Sequence, residues 1–198
     1  VYSLKSYEIP EASRQSRGQA IINLISLASD EKITDIMELS ELNEKSQLVF
    51  QTEKGKIKKT DASLFTNIQR NGIIAISLED GDRLVSIRQI DRACDIIVTS
   101  KNGMAIKFAS SDIRSMGRNA RGVRAIRLDE DDKVVSMNTI DDEVYLVVVT
   151  ENGFGKKTSF NNFNNQNRGG KGVRCHKITE KTGELVASLP ANLDDDIM

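Results

Sequence analysis

The sequence predicts an all-β chain, a propeller-like array of short four-stranded blades, and three observations carry that prediction. A glycine recurs after a short apolar run, in Lys54-Gly55-Lys56, Asn102-Gly103-Met104 and Asn152-Gly153-Phe154. A second glycine recurs before another apolar run, in Arg17-Gly18-Gln19, Asn71-Gly72-Ile73, Arg121-Gly122-Val123 and Lys171-Gly172-Val173. Both markers keep a period near fifty residues, and helical periodicity is weak throughout, as expected of repeated β units.

The elements follow in order within each unit. Gln47–Thr52 and Lys56–Thr60 flank Glu53-Lys54-Gly55, a sequence suited to a tight hairpin because such turns require φ > 0. A polar link, 61–71, follows, with Leu64 and Phe65 as apolar anchors, then a third strand over 73–78. The acidic turn Glu79-Asp80-Gly81-Asp82 leads to a fourth strand, 84–90. The next unit repeats this with strands at 96–99, 105–108, 123–128 and 134–140, and the last with 144–150, 155–158, 173–178 and 185–189. Helical turns are allowed only near 63–67 and 112–116. The first unit starts at a returning strand, and Asp194–Met198 reads as the opening of a fifth. The expectation is therefore one domain over 1–198, truncated at both ends, with units at about 1–45, 46–93, 94–142 and 143–192. The absence of Trp and of Trp-Asp or Gly-His signatures argues against WD-repeat and kelch propellers.

The formal net charge of −1 conceals a strong alternation. Residues 101–127 carry seven Lys/Arg and one acid, and residues 128–143 one Lys and seven acids. Residues 153–177 carry six Lys/Arg and no acid. The basic zones fall on the returning strand and the link, so stacked units should present a basic belt suited to phosphates whatever the base sequence. The candidate DNA-binding residues are Arg14, Arg17, Lys56, Lys58, Lys59, Arg70, Lys107, Arg114, Arg118, Arg121, Arg124, Lys156, Lys157, Arg168, Lys171 and Arg174. Few aromatics are present, so duplex is favoured over stacked single strands.

No catalytic constellation is legible. The single histidine, His176, has no second histidine to assist it; Cys94 and Cys175 read as reduced core filler; Tyr2, Tyr7 and Tyr145 have no activating partner in sequence. The acidic run 129–132 lacks calcium-loop spacing and reads as a solvated turn. No apolar run approaches a membrane span. These features predict no metal, no cofactor and no catalysis in this chain, and a cytosolic setting.

Longer strings then point to a family. Tyr7-Glu8-Ile9-Pro10-Glu11-Ala12-Ser13-Arg14, Ser115-Met116-Gly117-Arg118-Asn119-Ala120-Arg121-Gly122-Val123-Arg124 and Val149-Thr150-Glu151-Asn152-Gly153-Phe154-Gly155-Lys156 resemble the C-terminal domain of the bacterial DNA gyrase A protein, along the whole chain. The resemblance implies a β-pinwheel, whose blades exchange a strand with their neighbours. It also implies wrapping of duplex DNA around a basic outer rim to direct negative supercoiling. The gyrase B protein and the rest of the gyrase A protein would be partners in a heterotetramer, and the compartment the bacterial cytoplasm, at the nucleoid. ATP and Mg would be used in other domains of the parent topoisomerase. Gln166-Asn167-Arg168-Gly169-Gly170-Lys171-Gly172 resembles the gyrase box, departing at Asn167, and reads as a degenerate later copy, the true box lying before Val1. Two alternatives stay open: the corresponding domain of the topoisomerase IV A protein, and a non-enzymatic propeller that scaffolds proteins.

Overall fold

The computed structural model describes residues 1–28, 31–38, 45–141 and 144–197. Its eleven strands are β1 (Gln47–Thr52), β2 (Lys56–Asp61), β3 (Leu84–Ile90), β4 (Asp95–Ser100), β5 (Met104–Ala109), β6 (Val123–Arg124), β7 (Val134–Ile140), β8 (Tyr145–Thr150), β9 (Gly155–Ser159), β10 (Val173–Arg174) and β11 (Leu185–Ala191). Only short 3₁₀ turns interrupt them, and among the described residues there is no α-helix.

The strands form three antiparallel sheets, ordered β3-β1-β2-β6, β10-β5-β4-β7 and β11-β8-β9. Strand β6 belongs in sequence to the third unit yet completes the sheet of the second, pairing Ile57 with Val123. Likewise β10, from the fourth unit, pairs Ala105 with Val173 in the sheet of the third. Each blade therefore lends one short strand to the blade before it, as a β-pinwheel requires. The glycine ahead of each lent strand permits the approach. Gly122 has φ +87°, and a Cβ there would stand 2.5 Å from the Ile57 carbonyl oxygen; at Gly172 the same atom would stand 2.2 Å from that of Ala105.

The apolar cores lie between blades. On β4, Ile96 and Val98 pack toward the second unit with Val49 and Ile57, while Ile97 on the opposite face packs toward the fourth with Leu146 and Val148. Alternate residues of a strand point to opposite faces, so a middle blade needs apolar side chains on both. Strands β3, β7 and β11 pack side by side. The lent strands β6 and β10 lie at the opposite, outer margin of their sheets.

Three expectations need correction. Three sheets form among the described residues, where four were expected. Residues 1–28 hold 3₁₀ turns at Ser6–Glu8 and Ile21–Asn23 but no ladder. Their one link of the lent-strand kind joins Val1 and Ile73 through mutual backbone hydrogen bonds of 2.9 and 3.0 Å, which alone is too little for a strand. Second, the third strands are far shorter than the apolar runs: only Val123–Arg124 and Val173–Arg174 are paired, and 73–78 has no ladder. Those runs are apolar because Ala75, Ile126 and Cys175 are buried, not because a neighbour bonds their whole length. Third, Asp194–Ile197 is not a strand; Asp195 accepts from the Asn192 amide at 2.6 Å and holds a turn, and Met198 lies outside the described residues, as does the 142/143 unit boundary. The turns expected near 63–67 and 112–116 lie slightly earlier, at Ala62–Phe65 and Ser110–Asp112. Of the two link anchors Phe65 is buried and Leu64 exposed.

Candidate nucleic-acid interface

The links build the outer rim. After its 3₁₀ turn each link is laid against the outer strand of the preceding blade: the Met116 amide donates to the Lys59 carbonyl and the Gln166 amide to that of Lys107, both at 2.8 Å. Isolated parallel bridges join Ser115 to Lys59 and Asn165 to Lys107. The chain then turns through Gly122 or Gly172 into the lent strand. This path carries the periodic cations Arg118 and Arg168, Arg121 and Lys171, and Arg124 and Arg174 to equivalent places on successive blades. In the first unit Arg14 and Arg17 occupy the same repeat positions.

The predicted residues divide by environment. Arg14, Arg17, Arg70, Arg114, Arg121, Arg124, Lys156, Lys157, Lys171 and Arg174 are exposed. Lys56, Lys107, Arg118 and Arg168 are half-buried. Some exposed or half-buried cations are engaged locally: Lys171 with Asp129 at 2.7 Å, Lys56 with Glu79 at 3.3 Å, and Lys157 over the Tyr145 ring at 5.1 Å. Lys56 lies opposite Arg124 in the β2–β6 ladder, so the two project on one face and reinforce the local positive potential.

Lys58 and Lys59 leave the set of surface contacts. The Lys58 side chain is fully buried; its ammonium donates to the carbonyls of Ala75, Gly117 (3.2 Å) and Arg118 (2.6 Å) and lies 5.3 Å from the Phe50 ring centroid. Burial, aided by the nearby Arg118 charge, pulls its pKa down to about 8. Lys59 is also buried and donates to the Ser110 carbonyl at 2.9 Å, with its pKa lowered by burial. Both ammonium groups brace the next blade from inside. Lys107 reaches the Phe160 carbonyl at 3.4 Å in the same way.

The box-like segment is likewise a seam. Arg168 donates from Nε to the Asp112 carbonyl at 2.9 Å and from Nη1 to that of Arg124 at 3.2 Å. The Gly169 amide donates to Ala125 at 2.6 Å, and the Gly170 carbonyl accepts from Arg127 at 2.8 Å. Of its charged groups, Lys171 is the one exposed to solvent. Sequence reasoning did not single out Arg127 and Lys177, which stand exposed at equivalent places beyond the lent strands. Their fifty-residue spacing was the available signal.

The acidic turns are anchored rather than merely solvated. Asp82 accepts from the Lys54 amide at 2.9 Å; Asp132 accepts from the Asn102 amide at 3.0 Å and the Ser100 hydroxyl at 2.7 Å. Each ties its hairpin turn to the fourth strand of the same blade. Cys175 is buried, its thiol pushed up to about 11 by burial, and donates to the Gly103 carbonyl at 3.3 Å. His176 is half-buried with its pKa lowered, chiefly by burial. Tyr2 donates to Glu31 at 2.6 Å. Among the described residues no cluster of His, Cys, Asp or Glu could hold a metal, and no helix is long and apolar enough to cross a membrane.

Strand-exchanged blades in a propeller-like row, with cations repeated along their outer margin, define a β-pinwheel with a basic rim. The family model described as DNA gyrase C-terminal domain, beta-propeller, matches residues 1–40, 46–91, 95–141 and 145–192, and the chain belongs to that family. The DNA gyrase A protein of Clostridium acetobutylicum is 45% identical over 122 residues, covering 62% of this chain and 15% of that protein. The DNA gyrase A protein of Helicobacter pylori is 44% identical over 123 residues, with the same coverage. A solved DNA gyrase A C-terminal domain superposes with a TM-score of 0.86 at 30% identity, over 98% of this chain and 63% of its own. A topoisomerase IV C-terminal domain superposes at 0.83 with 25% identity, over 94% of this chain and 58% of its own. The chain thus spans a small part of the curated relatives and under two thirds of the solved domain.

Proposed function

We propose that this chain is a non-catalytic DNA-wrapping domain of a gyrase A protein, bending duplex DNA along its outer rim. The supporting observation is the repetition of exposed cations at equivalent rim positions, Arg17, Arg121 and Lys171 above all. Cations on one blade could hold a duplex without curving it. Smooth bending of 20–30 bp by 40–90° costs on the order of 1–6 kcal/mol, so contacts on successive blades are needed to offset it. In this reading the rest of the gyrase A protein and the gyrase B protein are its partners in the bacterial cytoplasm, at the nucleoid, and ATP and Mg act elsewhere in the assembly.

The test is replacement of Arg114, Arg121 and Arg124 by Gln in the intact enzyme. Wrapping and negative supercoiling should fall well below wild type while DNA cleavage and simple relaxation persist. Unchanged supercoiling would show that this face is not the DNA track. The alternative, the corresponding domain of a topoisomerase IV A protein, is supported by the 0.83 superposition, and an unmutated intact enzyme that introduces no negative supercoils would favour it.

A further inference from the structure

Within the third and fourth units the rim cations also recur at every third residue. Arg118, Arg121, Arg124 and Arg127 form one comb, and Arg168, Lys171, Arg174 and Lys177 form the next, fifty residues on. The second unit holds Ile68, Asn71, Ile74 and Ser77 at those positions, so the repeat does not itself call for charge there. The backbone explains the spacing. Ala125 and Ile126 are buried, at 0% and 1% exposure, while Arg124 and Arg127 on either side of them are exposed. A regular strand would send every second side chain outward. Here two inward residues follow each outward one, so every third side chain reaches solvent.

The first member of each comb is taken up by the seam between blades: Arg168 bonds to two carbonyls there, and the Arg118 carbonyl accepts from Lys58. The last member is not. The Ala125 amide donates to the Gly55 carbonyl and the Arg127 amide to that of Gly170, both at 2.8 Å, so this stretch is fixed between the hairpin of one blade and the link of the next. With that link in place the Arg127 side chain is still exposed, and it makes no ion pair among the described residues. Asp129 and Glu130 follow directly, so Arg127 is the last cation before a surface that repels phosphate. Six residues of chain, from Arg121 to Arg127, span at most about 20 Å. That reach matches the two backbones flanking a groove of B-DNA, about 6 Å wide for the minor and about 12 Å for the major.

We infer that Arg127 and Lys177 form a second line of phosphate contacts along the rim, beside the line of Arg121 and Lys171, and that the two lines hold opposite strands of one duplex. Given the DNA-wrapping reading, on which this rests, the duplex axis runs from one comb to the next and each comb lies across it. Arg124 and Arg174 stand between the lines, over the groove. A single line of charges would let the duplex roll on the rim, because phosphate contacts set register and orientation only where they are spread over the helix. Two lines fix its rotational setting, which a bend in one sense requires.

Salt titrations of the 198-residue chain on two labelled duplexes, read by fluorescence anisotropy, test this. One duplex is ordinary, and the other carries uncharged methylphosphonate linkages along one strand. Replacing Arg127 and Lys177 together by Gln should flatten the slope of log affinity against log salt by about 2 on the ordinary duplex. On the half-neutral duplex the charged strand lies along the Arg121 line, where Arg114 adds to the charge, and the same replacement should leave the slope unchanged. Arg127→Lys with Lys177→Arg keeps both charges and should keep the wild-type slope, with circular dichroism as the check on folding. A slope on ordinary duplex that the Gln pair leaves unchanged, while Arg121→Gln with Arg124→Gln flattens it, would overturn the second line and leave the wrapping reading standing. Equal flattening on both duplexes would put the two lines on one strand and overturn the two-strand grip. A wild type without salt-dependent duplex binding would overturn the wrapping reading itself, and the second line with it.

Discussion

Lys58 shows how a residue type that suggests a surface contact can be consumed by the fold. Its ammonium is enclosed by three carbonyls from two blades, and burial lowers its pKa to about 8. Below pH 8 the group is charged in folded and unfolded chains alike, so its burial penalty is full and constant. Between about pH 8 and the ordinary lysine value near 10.4, the unfolded chain holds a proton that the folded chain has released. Stability from this group therefore rises with pH over that window. Lys58→Met removes the titration but leaves the carbonyls of Ala75, Gly117 and Arg118 without their donor. It should cost about 0–2 kcal/mol at pH 7, where lost hydrogen bonds and relieved desolvation oppose each other. The stability gap between wild type and variant should then widen by up to about 3 kcal/mol by pH 10.5. Urea unfolding of both proteins at the two pH values measures this; a gap that does not change with pH would mean the ammonium is not held in the cage.

At the scale of the element, the acidic turn is a fastening. Asp132 accepts from the Asn102 amide, the Lys133 amide and the Ser100 hydroxyl, so one carboxylate fixes the start of β7 against the β4–β5 hairpin. Asp132→Ala should destabilise by roughly 1–3 kcal/mol, as hydrogen bonds to a charged acceptor are lost. Glu130→Ala, at an exposed position in the same turn, should change stability by less than about 0.5 kcal/mol. Thermal or urea unfolding separates the two, and equal effects would refute the fastening role. The hairpins and fourth strands were legible in the sequence, because glycine turns and runs such as Ile96–Val98 are local signals. The lent strands were legible only as apolar runs: their pairing extends over two residues and depends on a blade fifty residues away. The same distance explains the site. Arg121 and Lys171 declared themselves by period, but the burial of Lys58 and Lys59 depends on where a neighbouring blade places the carbonyls of Ala75, Gly117, Arg118 and Ser110. Those carbonyls carry no signature in sequence.

At the scale of the whole molecule, a net charge of −1 is a poor guide to what the surface attracts. The Debye length is about 8 Å at physiological ionic strength, so a phosphate on the rim responds to the cations beside it and is screened from acids on more distant turns. The rim cations are not equivalent in this respect. Arg114, Arg121 and Arg124 are exposed and make no ion pair among the described residues, whereas Lys171 is already matched by Asp129. Each cation that meets a phosphate releases condensed counterion, and the slope of log affinity against log salt becomes steeper by about 0.9 per contact on duplex DNA. Replacing Arg114, Arg121 and Arg124 by Gln should therefore flatten that slope by about 2–3 and weaken binding to all duplex sequences alike. Lys58→Met removes the same formal charge as any one of them but from a buried cage, so it should leave the slope as it is. Fluorescence anisotropy of a labelled duplex, titrated from about 50 to 200 mM salt, reads both effects. A slope unchanged by the triple arginine replacement, or flattened by Lys58→Met, would place the DNA on a different face from the one the repeat marks out.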